Sequence, residues 1–596
     1  MCGIFGIISK DEQVLGPILT NAAQRLSYRG YDSVGCATIT KGGLIDLRKD
    51  VGKVDEVAPR LNFAEMVGSR GITQLRWATF GSPSPENSQP HIDSKGLMVG
   101  AHNGNVVNNL ELRQQFISEG MLVRSENDGE TCVHAVERYV NQGYDLIDAI
   151  RKAYNDLLGD YSFVIGKIGE EKLYAFKKGS GLVAGITGGA TCVSSDLPSI
   201  LPITRRVLFI NDGEIVILQP DQIDIRSVKD GSVIRRDFEL ITESMELAQK
   251  GGYAHFMLKE IHEQSQVARE LLHMLDNSTA VEPMAQRLLN ARHLYLIGCG
   301  TSFHACSIGA YYIANLAAKP AIPVLATQFT SQYGPTLGPQ DVGIFVSQSG
   351  ETKDVLNALA VARNRGMQCF GLVNVIGSTL MKTTELHLPL TCGYEISVPA
   401  TKTYTNQVIT FLYLALKMGN LSTVVLSTLP EMIDQTVDDT NAQINRLEDL
   451  LDSWNDSYCL GYGSTYPIAL EGALKLKEVT DIHCEGLLST EFKHGPLAVV
   501  RSGYPIIFLA GPEDIPLIVS GINEVACRGA RTIVIGEEDS RLRANAHEMI
   551  TIPSTGPLLT PILAIIPMQL LAYHVSVGRG FDPDYPRNLS KTLTVD

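Results

Sequence analysis

The feature that most constrains the fold is a strand–turn–helix pattern that occurs twice in the second half of the chain. Residues 293–302 form an apolar run that ends in a glycine-rich turn before a helical pattern, and residues 457–465 repeat this arrangement. From about residue 285, short apolar runs alternate with longer helical patterns, which predicts parallel sheets covered by helices on both faces. We therefore predict two copies of one doubly wound α/β domain.

The first 240 residues show a different sequence pattern. Short apolar runs are separated by Gly, Asn, Pro and Asp, with helical patterns near residues 11–28, 108–119 and 129–157. This predicts a β-rich α/β domain. Residues 226–252 are charged and weakly periodic before a helical pattern resumes at 253–275, so this segment is the predicted linker.

Composition excludes several classes of function. The 596-residue chain has a net charge of −15 and no basic run with interleaved aromatic residues, which argues against nucleic-acid binding. Its 11 cysteines are scattered singly, so neither a disulfide framework nor a metal site is predicted. Prolines interrupt the apolar stretch 557–575, which we interpret as a buried helix rather than a membrane span. With no signal peptide pattern, we expect a cytoplasmic protein that contacts no membrane.

Cys2 directly follows the initiator methionine. Removal of Met1 would place a thiol beside a free α-amine, which can serve as general base while the thiolate attacks an amide carbonyl. The alternative is that Cys2 is merely a small residue that opens a buried strand.

Two further strings of the first half suit an amide hydrolase. The strings are residues 75–81 and 101–105; in the second, the Asn103 amide and the Gly104 N–H could stabilise an oxyanion. If the substrate is glutamine, Arg76 of the first string and Asp128 could hold its carboxylate and ammonium groups. Each has a simpler interpretation: Arg76 in a surface ion pair, Asn103-Gly104 as a hairpin turn, and Asp128 as a helix N-cap.

Together with Tyr28-Arg29-Gly30-Tyr31-Asp32-Ser33, these strings resemble the class II glutamine amidotransferase family, whose Cys-Gly-Ile, Arg-Trp-Ala-Thr and His-Asn-Gly motifs they match in order. The resemblance implies an Ntn-hydrolase αββα sandwich with Cys2 as nucleophile and Asn103 and Gly104 as the oxyanion hole. It also implies glutamine binding by Arg76, Trp77, Thr79 and Asp128, with Trp77 on a gating loop. Gln74, Leu75 and Phe80 depart from the family motif, which could alter affinity or gating.

Two turns of the second half predict an anion site. Residues 298–302 and 347–352 each join an apolar strand to a helix and are rich in Gly, Ser and Thr, which suits a phosphate. Phe303 stands where a dinucleotide fingerprint would have its third glycine, so nicotinamide binding is not favoured.

Several groups of the second half suit acid–base or imine chemistry. Lys475 and Glu478 share a helix face, which fits either an ion pair or proton transfer. His494 precedes Gly-Pro and could open a sugar ring or simply bond within its loop. Lys591 lies in a polar tail that is either disordered or able to fold over a site and form a Schiff base.

The second half resembles the paired sugar-isomerase (SIS) domains of the glucosamine-6-phosphate synthase family through Cys-Gly-Thr-Ser, Ser-Gln-Ser-Gly-Glu-Thr, Lys-His-Gly-Pro and Pro-Arg-Asn-Leu-x-Lys. The resemblance implies that Lys591 forms the Schiff base, Glu478 moves the C1/C2 proton, and His494 with Lys475 assists ring opening and proton handling. It implies a fructose 6-phosphate site formed by Cys299, Gly300, Thr301, Ser302, Ser347, Gln348, Ser349, Thr352 and Val398. Pro399 and Ala400 replace an alanine and a serine of the family pattern, so a hydroxyl contact could be lost.

The resemblances imply a multi-domain α/β enzyme that hydrolyses L-glutamine, carries ammonia internally and converts fructose 6-phosphate to glucosamine 6-phosphate without cofactor or metal. We expect a homodimer. The predicted parts are a glutaminase domain at 1–240, a linker and leading helix at 241–284, SIS domains at 285–425 and 455–583, and a catalytic tail at 584–596. The alternatives are the same architecture acting on another sugar phosphate, or a sugar-phosphate sensor.

Overall fold

The computed structural model describes residues 2–241, 250–447 and 454–592. The chain forms two compact units, residues 1–248 with 590–596 and residues 249–589.

Two antiparallel sheets form the first unit. Their strands are β1 Gly3–Val14, β2 Ser33–Ile39, β3 Ile45–Val51, β4 Val67–Arg76, β5 His91–Ile92, β6 Met98–Val106, β7 Gly159–Lys167, β8 Leu173–Lys178, β9 Val183–Ile186, β10 Ala190–Ser194, β11 Arg206–Phe209, β12 Glu214–Gln219, β13 Gln222–Ser227, β14 Val233–Ile234 and β15 Glu239–Leu240. In the described residues, one sheet has the order β15-β11-β9-β10-β1-β4-β2-β3 and the other β14-β13-β12-β8-β7-β6-β5.

The two sheets of the first unit pack face to face between helices. Ile4 and Ile72 of one sheet share a buried core with Val164 of the other. The outer face of the second sheet packs on helices Asp128–Asn141 and Leu146–Asp156. On the first sheet, Leu19 of helix Gly16–Arg25 lies over Gly71. The predicted αββα sandwich is thus confirmed. The other helices of the unit are Val54–Arg60 and Asn109–Ser118, with short 3-10 turns at Ser27–Arg29, Phe63–Glu65 and Leu197–Ser199.

The second unit contains two parallel sheets of the same topology. Their strands are β16 Leu294–Gly298, β17 Ile322–Leu325, β18 Val342–Ser347, β19 Gln368–Val373, β20 Leu386–Pro389, β21 Asp456–Gly461, β22 His483–Leu488, β23 Pro505–Ala510, β24 Arg531–Glu537 and β25 Glu548–Ile552. The orders are β17-β16-β18-β19-β20 and β22-β21-β23-β24-β25, so each sheet reads 2-1-3-4-5 in its own strands. The predicted duplication of a doubly wound domain is confirmed.

Helices cover both faces of each parallel sheet. Ile344 and Ile507, from the two sheets, point into one shared core, while Phe345 and Phe508 pack into separate outer cores. The helices are Phe256–His262, Gln264–Asn277, Val281–Asn290, Thr301–Ala317, Ala326–Tyr333, Lys353–Asn364, Thr379–Thr383, Lys402–Met418, Leu429–Ile444, Tyr466–Thr480, Ile515–Ala526, Ser540–Asn545 and Thr560–Gly578, with 3-10 turns at Gly334–Thr336, Thr423–Leu426, Gly463–Thr465, Phe492–His494 and Pro496–Val499.

Helix Thr560–Gly578 is the one helix in the described residues that is long and apolar enough to cross a membrane. Of its apolar window, 83% is buried within the protein, where it contributes to the shared core of the second unit, as the sequence predicts. Pro561 lies in its first turn and Pro567 lies inside it, so these prolines do not end the helix.

Some local predictions were wrong. The pattern at 11–28 is divided between the end of β1 and helix Gly16–Arg25, because β1 continues beside β4 as far as Val14. The predicted linker contributes β14 and β15 to the two sheets, and residues 242–249 lie outside the described residues.

Candidate active sites

Cys2 lies buried at the start of β1 beside the end of β4, where Gly3 pairs with Leu75. Its thiol donates to the Trp77 carbonyl at 3.6 Å and accepts from the Trp77 N–H at 3.4 Å. Burial raises the pKa of the Cys2 thiol, although neighbouring positive groups oppose the shift. The thiol therefore needs a nearby base before it can attack a carbonyl.

Asn103 and Gly104 lie inside β6, which contacts β1 in the facing sheet. They pair with Ser162 and Tyr161 of β7, so the hairpin-turn interpretation was wrong. Among the described residues, neither amide atom of the fully buried Asn103 side chain has a hydrogen-bond partner. A buried amide without partners is costly and is suited to a polar ligand.

Asp128 is the first residue of helix Asp128–Asn141, but the N-cap is Asn127, whose side chain accepts from the Gly129 N–H at 2.9 Å. Asp128 Oδ2 accepts from the Val106 N–H at 3.0 Å and lies 3.5 Å from His102 Nε2. Within the described part of the chain its Oδ1 has no partner. The capping interpretation of Asp128 was therefore wrong, and one buried carboxylate oxygen remains available to a ligand.

Arg76 is fully buried and not in a surface ion pair. Its Nη2 donates to the carbonyls of Phe80 and Gly81 at 2.5 and 2.6 Å. Burial lowers the pKa of Arg76, and the nearby carboxylates of Asp128 and Asp32 oppose the shift. Arg76 thus holds the loop after β4 together and lies within electrostatic range of Cys2.

The loop after β4 carries Trp77, half-buried, and Thr79, exposed. The Trp77 ring meets the Tyr31 ring edge-on at 5.9 Å between centroids. Of the departures from the family motif, Gln74 is buried and donates to the His102 carbonyl at 3.3 Å, and Leu75 is a buried strand residue. Both therefore stabilise the strand that leads to the loop.

Arg29 is a site residue that sequence reasoning did not single out. Its Nε donates to the Cys2 carbonyl at 3.2 Å, and its Nη1 lies 3.0 Å from Asp196 Oδ2, which also accepts from the Tyr28 hydroxyl. The only sequence signal was its place in the string 28–33, because the contact with Cys2 depends on the tertiary fold.

In the second unit, the turns 298–302 and 347–352 follow β16 and β18, which are adjacent and parallel, so both turns lie at one edge of the sheet. The Gly350 N–H donates to Ser347 Oγ at 3.0 Å, and Thr352 Oγ1 is 2.8 Å from the same oxygen. Ser302 Oγ accepts from Gln407 Nε2 at 3.1 Å. The hydroxyls and helix N-termini at this edge suit an anion.

Of the other predicted sugar-phosphate residues, Cys299, Gly300, Gln348 and Ser349 lie within the same two turns, and Val398 lies outside them. Gly300, with a φ of +51°, precedes helix Thr301–Ala317 directly. The Gln348 carbonyl accepts from the Asn374 N–H at 3.1 Å, and Ser349 Oγ accepts from the Glu351 N–H at 3.1 Å. Cys299 is partly buried, and the N–H of the buried Val398 donates to the Asp584 carbonyl at 2.9 Å.

The second SIS copy has carboxylates at the corresponding turn after β23. A Cβ on Gly511 would lie 2.7 Å from Asp514 Oδ2, and burial followed by the charge of Glu513 raises the pKa of Asp514. Two carboxyl groups at this turn disfavour a phosphate, so the arrangement suits an anion only in the first copy.

Lys475 on helix Tyr466–Thr480 is fully buried. Its Nζ lies 2.5 Å from Glu478 Oε2 and 3.3 Å from Glu471 Oε1, and it donates to Thr301 Oγ1 at 3.2 Å. Burial alone would lower the pKa of Lys475, but the two carboxylates raise it to about 12. The predicted acid–base pair is therefore a charged pair in contact with the turn of the first SIS copy.

His494 and Lys591 are the residues for which the resemblance implies ring opening and a Schiff base. His494 is exposed in the turn Phe492–His494. Lys591 is half-buried and groups with the first unit. Their predicted roles remain predictions.

Comparisons with known proteins agree with this division of the chain. The family model of the SIS domain matches residues 287–417 and 450–579, and that of a glutamine amidotransferase domain matches residues 75–201. An isomerizing glutamine–fructose-6-phosphate aminotransferase of Methanothermobacter thermautotrophicus is 39% identical over 601 residues, and one of Pyrobaculum aerophilum is 38% identical over 607; the matches cover 100% of each chain. The solved C-terminal domain of glucosamine-fructose-6-phosphate aminotransferase from Francisella tularensis matches with a TM-score of 0.52 and 29% identity over 57% of this chain and 100% of that chain.

Proposed function

The chain belongs to the isomerizing glutamine–fructose-6-phosphate aminotransferase family, and from this premise we propose how its residues perform the reaction. The protein hydrolyses glutamine and uses the nitrogen to convert fructose 6-phosphate to glucosamine 6-phosphate. The observation that carries the proposal has two parts. Near the buried Cys2, the Asn103 amide and Asp128 Oδ1 have no hydrogen-bond partner among the described residues. In the second unit, the turn 298–302 contacts Lys475 of the pair Lys475–Glu478.

In the first unit, the Cys2 thiolate attacks the glutamine amide once its own α-amine, freed of Met1, has taken the thiol proton. The carbonyl oxygen becomes an oxyanion that the Asn103 amide and the Gly104 N–H stabilise. Asp128 binds the substrate ammonium through its unpartnered Oδ1, and Arg76, Trp77 and Thr79 hold the carboxylate end. The oxyanion intermediate then collapses: the α-ammonium group returns the proton to the amide nitrogen, ammonia leaves, and a thioester remains on Cys2. Water cleaves this thioester to give glutamate and restores the thiol.

In the second unit, the hydroxyls of Ser302, Ser347 and Thr352, with Ser349 and Gln348, bind the sugar phosphate. Lys591 forms a Schiff base with the C2 ketone and water leaves; ammonia then attacks C2 and releases the Lys591 amine. Glu478 then moves a proton between C1 and C2, and Lys475 balances the charge of that carboxylate at 2.5 Å. His494 assists ring opening.

Ammonia passes from one half-reaction to the other inside the protein. In neutral water it would largely become ammonium, which is not a nucleophile, so a dry route protects the reaction. We further propose a cytoplasmic homodimer. All 11 cysteines are free thiols, which supports a reducing compartment, and apolar Val424 and Leu517 are exposed on the second unit.

A time course with amide-labelled ¹⁵N-glutamine and fructose 6-phosphate tests the proposal, on protein whose N-terminal methionine is confirmed absent. Glutamate that appears one-for-one with ¹⁵N-glucosamine 6-phosphate, despite excess unlabelled ammonium, would support both half-reactions and internal transfer. Glutamate without the labelled product would point to another sugar phosphate. If neither glutamate nor the labelled product formed, the proposal would be contradicted.

A further inference from the structure

A buried polar cluster joins the two SIS copies. It consists of Thr301 and His304 on helix Thr301–Ala317 and of Glu471 and Lys475 on helix Tyr466–Thr480, and we call it the Glu471 cluster. Glu471 Oε1 accepts from Thr301 Oγ1 at 3.0 Å and lies 3.3 Å from Lys475 Nζ. Glu471 Oε2 lies 2.7 Å from His304 Nδ1.

These contacts lie in the protein interior, where a polar group that loses its hydrogen-bond partner is destabilising. The side chains of Glu471 and Lys475 are 0% exposed, and that of His304 is 14% exposed. An ionised carboxylate can only accept hydrogen bonds, so His304 Nδ1 carries the hydrogen of the contact. A carboxylate without water needs donors on both oxygens, and His304 is the donor shown on Oε2. It thereby orients Oε1 towards Lys475.

The orientation of Glu471 affects the proposed chemistry through Lys475. This single ammonium lies between two carboxylates, Glu471 at 3.3 Å and Glu478 at 2.5 Å. If Oε2 lost its donor, Glu471 would turn away, and Lys475 would be drawn closer to Glu478. The position of Glu478 and its contact with Lys475 would then both change.

The duplication of the SIS domain gives independent support for a specific role of the His304–Glu471 contact. Counted from the turn glycines Gly300 and Gly463, the counterpart of His304 is Pro467 and the counterpart of Glu471 is Ile308. Neither counterpart side chain can form a hydrogen bond. The His304–Glu471 contact therefore has no counterpart at the symmetry-related position of the helix pair. It lies on the side where Thr301 and Lys475 are located.

We propose that His304 is a positioning residue for the amination and isomerisation steps: through Glu471 it holds Lys475 in its place beside Glu478. The proposal rests on the proposed function of Lys475 and Glu478 and adds a residue that acts through them without touching the sugar.

Three variants in the full-length protein test this. His304→Leu removes the donor at similar volume, His304→Asn keeps an N–H near the position of Nδ1, and Ser307→Ala is a control one turn along the same helix, where Ser307 Oγ donates to the Phe303 carbonyl. For His304→Leu we expect kcat of amination to fall at least about tenfold with KM for fructose 6-phosphate within about threefold. His304→Asn and Ser307→Ala should stay within about threefold of wild type, and glutamate release without sugar should be unchanged in all three.

Exchange of the C1 hydrogen of fructose 6-phosphate in D₂O gives a second readout, which should fall in parallel with kcat. An unchanged kcat in His304→Leu, a rise in KM alone, or an equal loss in His304→Asn would overturn the proposal. If His304→Leu does not fold, Glu471→Gln carries the test, and wild-type kcat in that variant would overturn it. Wild-type protein that makes no amino sugar would instead contradict the proposed function.

Discussion

At the scale of single residues, burial controls the ionisation of the groups that carry the chemistry. It raises the pKa of the Cys2 thiol, which therefore depends on an adjacent base. Burial opposes the charge of Lys475 as well, but Glu471 and Glu478 raise its pKa to about 12, so it stays charged at neutral pH. At neutral pH Cys2 is thus an uncharged thiol and Lys475 a cation.

The first prediction concerns Cys2. Cys2→Ala should lower glutamate release more than about 10³-fold, and amination from glutamine with it, because the proposed nucleophile is lost. The measurement is glutamate and glucosamine 6-phosphate by mass spectrometry. The control is Cys527→Ala, which removes an exposed thiol and should change neither activity. Persistent glutamate release from Cys2→Ala would show that another group attacks the amide.

The second prediction concerns Lys591. Lys591→Ala and Lys591→Arg should both abolish amination and leave glutamate release intact, because neither side chain forms an imine with a ketone. Borohydride reduction in the presence of fructose 6-phosphate should add the sugar mass to wild-type protein and to neither variant. Amination by Lys591→Arg at the wild-type rate would remove the Schiff-base role.

At the scale of elements, two segments of the first unit determine the shape of the Cys2 site. Strand β6 presents Asn103 while its Gly104 has a φ of +130°, the left-handed region that disfavours side chains. Helix Asp128–Asn141 presents Asp128 and is anchored by His134, which lies 2.7 Å from Glu137 and 3.5 Å from Glu130 in the interior. The conformation of both segments therefore depends on the close contacts made by Gly104 and His134.

Gly104→Ala should distort β6. A Cβ there would lie 2.1 Å from the Asp160 carbonyl oxygen, and the positive φ adds strain of roughly 1–3 kcal/mol. We expect a lower unfolding midpoint and at least about tenfold slower glutamate release. The matched control is Gly188→Ala, whose Cβ would meet nothing within 4 Å. Wild-type activity in Gly104→Ala would refute the role of this close approach.

His134 makes the stability of the first unit pH-dependent. Burial opposes its charge, but Glu130 and Glu137 raise the pKa of His134 above its usual value. The contribution of His134 to the free energy of unfolding is therefore fully present below about pH 6.5, the usual pKa of histidine in an unfolded chain. It is lost as the pH rises through the folded-state pKa of His134.

The corresponding variant is His134→Gln, which should destabilise the first unit by about 3 kcal/mol at pH 6, because two buried carboxylates lose their counter-charge. Thermal unfolding of wild type and variant at about pH 6 and pH 9 measures the difference, which should shrink at the higher pH. If the difference in stability between wild type and variant grew with pH, the predicted direction of the pH dependence would be wrong.

At the scale of the whole molecule, the chain combines an antiparallel αββα sandwich with a duplicated parallel α/β fold. Only the first SIS copy has the hydroxyl-rich turn, and the second copy contributes Lys475 and Glu478 from its helix Tyr466–Thr480. Under the proposed function, the duplication therefore yields one composite sugar site to which the two copies contribute different residues.

Trp77 tests the proposed coupling between the half-reactions. Trp77→Ala should keep glutamate release within about tenfold of wild type but lower the fraction of ¹⁵N that reaches glucosamine 6-phosphate, because the gating ring is gone. Label escaping as free ammonium is the diagnostic product. A one-for-one yield from the variant would exclude Trp77 as the gate.

The sequence alone determined the features that depend on neighbouring residues: the repeated strand–turn–helix pattern, the hydroxyl-rich turn at 347–352, the pairing of Lys475 with Glu478, and the position of Cys2 behind Met1. Periodicity and turn chemistry are local, so these were predictable. Only the tertiary structure decided that Asn103 and Gly104 lie within a strand, that Arg29 holds the Cys2 carbonyl, and that His304 meets Glu471 167 residues away. Such contacts join segments that are distant in sequence, and no local pattern records which buried polar groups will meet.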